Sequence, residues 1–446
     1  MTYPVEFIAG DPGPAAWNVI LPDALKYPTL EGNYTCDVLV IGAGFAGLTA
    51  ARRLAVQAPH LKVIVVEGRR LAEGPAGRNS GFMVDLPHDL SSDDYAGQAE
   101  KDLAQIKQNR IAINFAHQTA QEFGYVGEAF DPSGKINGAA TTKGVQHNQE
   151  YSEHLTAIGE RSERLDAQAM TELTGTKFYL DGLYTPGAVM LQPALYIREL
   201  GKAVAKTAQI FESSPVNSLT KQGRSWWAET EKGTVSAGKV VLAVNGMAEK
   251  FGYFTGRLMH IFTYGSMTRK LSKDEATRLG GKPKWGCTPA DPMGTTVRRI
   301  SGINGDRLIV RNTFRLDQSM ESRQEQLGRI YRDHDRSYAA RFPMLSEVDM
   351  EYRWGGRLCT SFNNIQGFSE LEPGLVSACC QLGIGVTKGT LLGVAAADYL
   401  ADSMTEELQP LLVNQRDLRR LPPKPLANLG ANTYLRWKEY RAGGEF

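Results

Sequence analysis

The stretch Cys36–Gly81 restricts what this 446-residue chain can become more than any other. Val38–Ile41 is a short, β-branched apolar run suited to a buried parallel strand. Gly42, Gly44 and Gly47 follow in G-x-G-x-x-G spacing. Ala43–Leu54 is rich in Ala and Leu, which favours a helix. Lys62–Val66 reads as a second strand, and it ends at Glu67, twenty residues after the third glycine. Each part has a mechanical use. Gly42 permits a tight turn, Gly44 lets a pyrophosphate approach the backbone, and Gly47 lets the helix pack on the strand. The helix N-terminus turns free N–H groups and a partial positive charge toward the phosphates. Glu67 can accept hydrogen bonds from a ribose diol and would repel a 2′-phosphate. Three glycines alone mark only a turn; with strand, helix, second strand and acid in this order they predict a dinucleotide site.

That unit by itself does not separate FAD from NAD. Ala72–Gly81, AEGPAGRNSG, follows as an irregular loop of small residues, unlike the continuation of a nicotinamide-type αβ unit. Gly74, Gly77, Arg78, Asn79 and Gly81 resemble the flavin loop G-x-S-G-R-N-G-G of the D-amino-acid-oxidase-like flavoprotein superfamily, with departures at Ala76 and Ser80. Late in the chain, Gly383-Ile384-Gly385-Val386-Thr387-Lys388-Gly389 is a second glycine-rich turn from a strand (Leu375–Cys379) into an Ala/Leu-rich helix. It is similar to the pattern G-x-G-[LV]-T-K-G-T of the γ-glutamylputrescine oxidase-like branch of amine oxidases. A second helix N-terminus aimed at a reduced flavin stabilises negative charge there.

The resemblance implies an α/β (α+β) fold: a Rossmann-like FAD-binding domain intimately joined to a substrate domain built on an antiparallel sheet. The expected division is an N-terminal arm, 1–35; an FAD domain from 36–90, 190–250 and 352–405; a substrate domain from 91–189 and 251–351; and a tail, 406–446. It implies non-covalent FAD held by Gly42, Gly44, Phe45, Ala46, Gly47, Glu67, Gly68, Arg69, Ala76, Gly77, Arg78, Asn79, Ser80, Gly81, Val216, Asn245, Gly246, Gly383, Gly385, Val386, Thr387 and Lys388. Relatives commonly have Ala-Thr-Gly where this chain has Ala243-Val244-Asn245-Gly246, so the glycine is kept and the threonine is not. Some relatives tether FAD through a cysteine after a Trp-x-Gly element; Cys359 stands one residue out of that register, which puts a strand side chain on the other face.

The remaining chain fills in around these turns. Residues 1–35 carry five prolines with Trp17 and Tyr27 and read as an extended arm. Pro87–Asp94 reads as a turn-rich exit, Tyr95–Phe123 as a helix, Asn137–Thr142 as a turn entering a strand, and Asn148–Leu165 as an exposed helix. Pro193 starts a helix over Gln192–Ala205, before a strand Ile210–Val216. Ser225–Thr230 and Thr234–Ser236 form a hairpin, with Trp226 and Trp227 on opposite faces, and Lys239–Val244 is a buried strand. Met259–Thr268 reads as a strand, and Asp291–Phe314 as a hairpin turning around Gly302–Gly305. Ser319–Phe342 reads as a charged helix with His334 on its solvated side. His117 and His154 read as ordinary helix residues.

Net charge near +1 gives no electrostatic reason for a nucleic-acid partner. Five cysteines without C-x-x-C spacing argue against a disulfide framework and a zinc site, and no metal is expected. No apolar run is long enough to cross a bilayer, so the chain is expected to be cytoplasmic, with its basic aromatic tail packed on the body. The function expected is an FAD-dependent amine or amino-acid oxidase: hydride passes to flavin N5, the imine hydrolyses, and dioxygen is reduced to H2O2. The alternatives are a dehydrogenase feeding a quinone or protein carrier, and a non-catalytic FAD-binding protein. Candidate substrate-side residues are Tyr264, Arg298, Arg299, Trp354 and His260. Adjacent Arg298 and Arg299 should face opposite sides of a strand, one of them toward a substrate carboxylate.

Overall fold

A computed structural model describes residues 2–5, 10–87, 98–302, 305–322 and 324–446. The fold is mixed α/β. Its first sheet has a parallel centre because its strands are apolar on both faces. Gly32–Ile41 lies between Val63–Val66 and Gly233–Leu242, all parallel, and Leu375–Cys379 adds alongside Val240–Leu242. Every residue of Val63–Val66 is buried. Ile41 is paired with both Val66 and Leu242, so three strands end level and release their turns into one crevice. Ligands of open α/β sheets bind at such carboxyl ends.

Helix Phe45–Gln57 covers this sheet beside the returning helix Gly385–Leu400. Their approach is close: a Cβ on Gly393 would lie 2.4 Å from the Ala46 carbonyl oxygen. Arg53 Nε and Nη2 donate to the two oxygens of Asp398, at 2.7 and 3.0 Å, and lock the pair. Pro193–Val204 is capped by Gln192, whose side chain accepts from the Leu195 N–H, with Pro193 in the first turn.

The second sheet has eight strands in the spatial order Met350–Ser361, Leu258–Thr268, Arg307–Leu316, Thr296–Ile300, Trp285–Pro289, Lys135–Ala139, Asp181–Thr185 and Glu163–Asp166. All its pairings are antiparallel except Trp285–Pro289 with Lys135–Ala139. Met350–Ser361 belongs to this sheet over its whole length, across the boundary expected at residue 352.

Several local expectations are corrected. Residues 137–139 lie inside a strand rather than in a turn before one, because Gly138 is packed against Cys287 Sγ and Tyr179. The helix expected over 148–165 runs from Thr142 to Ala157: Thr141 caps it and Gly159, at φ +82°, ends the turn after it. The strand expected to reach Val216 stops at Phe211, since Ser213 takes φ +50° ahead of Pro215. His334 is wholly buried in Gln324–Arg341, with Nδ1 2.7 Å from Ser266 Oγ. Trp226 is buried and Trp227 half-buried, as strand alternation requires. The expected exit at 88–94, the start of the helix at 95–97 and the turn residues 303 and 304 lie outside the described residues. The helix that follows is Ala99–Glu122.

The N-terminal arm runs along the body. Thr2–Pro4 pairs with Ser218–Thr220, and Trp17 of the short helix Ala16–Val19 is fully buried.

Candidate active site

Gly42 stands at φ +101°, which a side chain would resist, and a Cβ on Gly47 would lie 1.8 Å from the Gly42 carbonyl oxygen. Gly44 differs. A Cβ there would meet only the Ala76 methyl, at 3.6 Å. The space above Gly44 is therefore open on the protein side, as a cradle for a pyrophosphate requires. A cavity of about 350 Å³ begins here, within the size range of small-molecule and cofactor sites.

Its wall brings together most residues expected to hold a cofactor: Gly42, Gly44, Phe45, Ala46, Glu67, Gly68, Arg69, Ala76, Arg78, Asn79, Ser80, Gly81, Val216, Asn245, Gly246, Gly383, Gly385 and Val386. Gly47, Gly77, Thr387 and Lys388 stand outside that lining. Thr387 Oγ1 accepts from the Val84 N–H and donates to the Val84 carbonyl, at 2.8 and 3.1 Å, which ties the returning helix to the strand after the flavin loop. Lys388 is buried, and that burial pulls its ammonium down to about 8.

Glu67 is anchored by two backbone N–H groups. Its carboxylate accepts from the N–H groups of Ala43, at 2.8 Å, and Arg69, at 3.0 Å, and burial pushes its pKa up. The loop 72–81 is stitched to itself and to both sheets. Asn79 donates to the Ala76 carbonyl and accepts from the Gly81 N–H. Arg78 donates to carbonyls of Glu73, Gly13 and Gly355, and Trp354 Nε1 donates to the Arg78 carbonyl at 2.9 Å.

The substrate-side expectations divide. Arg298 and Arg299 do face opposite ways, and neither lines the large cavity. Arg298 is buried and donates to the carbonyls of Ser80, Gly81 and Leu191, so it fixes the flavin loop. Arg299 turns away to Asp306 and to the Gly280 and Lys282 carbonyls. Trp354 buttresses Arg78 from outside the cavity. Tyr264 points elsewhere, its hydroxyl 3.0 Å from Ser322 Oγ. His260 is in the cavity wall, with Nε2 2.6 Å from Glu249 Oε2. In the tautomer that donates Nε2–H to Glu249, Nδ1 is left as an acceptor. A Cβ on Gly246 would come within 2.8 Å of that Nδ1, which explains why the glycine is kept there.

Thr263, Thr288 and Thr296, which were not singled out for the site, line with Arg311 the end of the cavity formed by the antiparallel sheet, and Thr296 and Arg311 are register partners. Asp11, from the arm, accepts from Arg69 at 2.9 Å and from Arg357 at 2.9 and 3.2 Å, with Arg78 at 3.9 Å. Arg357 follows directly on Trp354-Gly355-Gly356 and was within reach of the sequence. Asp11, alone among prolines, carried no periodic signal. No cluster of His, Cys, Asp and Glu suited to a metal occurs among the described residues.

The arrangement fits FAD: an open cradle at Gly44, two helix N-termini, an anchored acid at Glu67, and a cavity continuing to a second sheet. Comparisons with known proteins agree. A probable oxidoreductase OrdL of Haemophilus influenzae is 25% identical over 392 residues, 84% of this chain and 85% of that protein. The gamma-glutamylputrescine oxidoreductase of Escherichia coli is 25% identical over 390 residues, with the same shares covered. The crystal structure of glycine oxidase from Geobacillus kaustophilus superposes with a TM-score of 0.70 at 17% identity, covering 87% of this chain and all of that one. The family model for FAD dependent oxidoreductases (DAO) matches residues 37–399, and the chain belongs to that family.

Proposed function

We infer that this protein oxidises the C–N bond of an amine or amino acid that carries a carboxylate or amide, with dioxygen as acceptor. The observation that carries this reading is the single cavity running from the glycine cradle to Thr263, Thr288, Thr296 and Arg311 on the antiparallel sheet. The names of the relatives, a gamma-glutamylputrescine oxidoreductase and a glycine oxidase, support the substrate class. FAD, held at the Gly42–Phe45 cradle with Glu67 at its ribose, would supply the two-electron chemistry by which the amine loses two electrons and two protons to become an imine, which water hydrolyses, while dioxygen gains them to become H2O2.

The residues of the chain prepare that chemistry. Gly42–Phe45 and Gly385–Val386 present two helix N-termini, which favour negative charge on whatever lies between them. Glu67 is the acceptor for a ribose diol. Arg298, Arg78 and Trp354 hold loop 72–81 still. Arg311 is the proposed carboxylate clamp in place of Arg298 or Arg299, and such a clamp fixes orientation as well as adding affinity. His260 Nδ1, with its ring oriented by Glu249, is the proposed acceptor for a proton from the substrate ammonium.

The test is anaerobic bleaching of the bound flavin by a panel of amines with and without carboxylates. Arg311→Ala should lower kcat/KM about ten- to a hundredfold for carboxylated substrates, the cost of a lost hydrogen bond to a charged group. Simple alkylamines should be unaffected. Equal loss on both classes would reject the clamp. Turnover with a dye but not with oxygen would replace the acceptor by a quinone or protein carrier, and no bleaching by any amine would reject the substrate class.

A further inference from the structure

The C-terminal helix Lys424–Ala442 turns Asn432, Lys438 and Glu439 inward alongside Leu435 and Ala442. Asn432 accepts from the Leu316 N–H at 3.0 Å and donates to the Leu316 carbonyl at 2.8 Å. Glu439 accepts from the Phe314 N–H at 2.8 Å, with Arg315 beside it at 3.8 Å. These bonds satisfy the part of strand Arg307–Leu316 that extends past its neighbour Thr296–Ile300. Lys438, Glu439 and Ala442 are buried by this docking.

The outward side is apolar and aromatic. Leu426, Leu429, Trp437 and Tyr440, with Thr433 between them, recur at three- and four-residue steps and form one stripe flanked by Tyr434. The exposures are 65% for Leu426, 70% for Leu429, 50% for Tyr434, 49% for Trp437 and 85% for Tyr440. An ordinary surface helix turns its apolar stripe to the core instead. These are five of the thirteen exposed large apolar side chains among the described residues, so the patch is concentrated rather than scattered. The Tyr434 and Trp437 rings lie 5.9 Å apart, and the Arg441 guanidinium sits 4.9 Å over Trp437.

The exposed charge of residues 416–441 is mainly basic. Arg416, Arg419, Arg420, Lys424, Arg436 and Arg441 are exposed against Asp417, with Glu439 turned inward, and Asp317 and Glu321 line a groove shared with Leu429 and Arg436, which leaves an excess of cations. Two copies packed stripe to stripe about a twofold axis would set cations against cations. An anionic bilayer surface accepts both features: aromatic rings settle at the headgroup level, and guanidinium groups meet lipid phosphates. No helix among the described residues is long and apolar enough to cross a membrane, so the contact is a peripheral one. We propose that this face rests on an anionic phospholipid surface.

The experiment is vesicle flotation of the FAD-loaded full chain, using phosphatidylcholine vesicles with and without phosphatidylglycerol, at low and high salt. The chain should float with phosphatidylglycerol vesicles only, and salt should weaken the association. Each cation lost should weaken binding about fivefold. Arg436→Glu with Arg441→Glu should therefore reduce it by more than an order of magnitude, and Trp437→Ser with Tyr440→Ser should abolish it. All four sites are exposed, so flavin absorbance and melting temperature should not change. No flotation, equal flotation on both vesicle types, or undiminished flotation of the variants would overturn the proposal. A dimer in solution that Trp437→Ser with Tyr440→Ser dissociates would overturn it in favour of a second copy.

Discussion

The Asp11 carboxylate is shielded from solvent and answers three guanidinium groups, Arg69, Arg78 and Arg357, all in the cavity wall. An acid so placed pins the N-terminal arm across the cofactor cleft. Asp11→Asn keeps the shape and removes the charge that the arginines face. Breaking a buried ion pair from one side costs about 3 kcal/mol or more, so the melting temperature should fall by several degrees and the arm should become open to proteolysis. An unchanged melting temperature would show that solvent already serves those arginines. Gly44→Val tests a different kind of residue. Its Cβ meets only Ala76, at 3.6 Å, so the fold should tolerate the change while the cradle is filled. The expected product is folded and colourless; yellow protein with a full complement of FAD would contradict the assigned cradle.

At the scale of elements, the two glycine turns were legible because each is a short local pattern whose spacing carries its own geometry. Segments defined by distant packing were not. The Asn137-Gly138 pair looks like a turn, yet Gly138 is there because Cys287 and Tyr179 leave no room for a side chain. The same holds for His334. Its neighbours in RDHDR suggest a solvated face, but Leu327, Ile330, His334, Tyr338 and Arg341 recur at three- and four-residue steps, and that buried stripe was readable. The substrate end was least legible, since Thr263, Thr288, Thr296 and Arg311 come from four strands and converge only once the sheet exists. Burial pulls His334 down to about 3, below its ordinary value near 6.5. The unfolded chain therefore binds the extra proton between those two values. His334 accordingly contributes stability above about pH 6.5 that is lost as pH falls toward 3, at up to roughly 1.4 kcal/mol per pH unit. His334→Gln should flatten that part of the stability–pH curve, measured by urea unfolding; an unchanged slope would mean the imidazole is charged in the folded protein.

The two large sheets share a cavity that receives turns from both, so cofactor binding and global stability are coupled. That coupling depends on how FAD is attached. Cys359 lines the cavity and is the one cysteine in a position to tether it. The neighbouring Cys380 thiol together with burial raises its pKa well above the ordinary value, which disfavours the thiolate that would attack the ring. We therefore expect the flavin to be released into the supernatant on acid precipitation. A reversibly bound ligand stabilises the folded state by RT ln(1 + [L]/Kd), about 1.4 kcal/mol for each tenfold rise in free FAD above Kd. The melting temperature of the apoprotein should accordingly climb steadily with added FAD, with no plateau at one equivalent. Colour retained in the acid pellet, with a melting temperature indifferent to free FAD, would show a covalent link and assign Cys359 as its site. If the colour is released but added FAD leaves the melting temperature unchanged, the two sheets hold together without the cofactor and the proposed coupling fails.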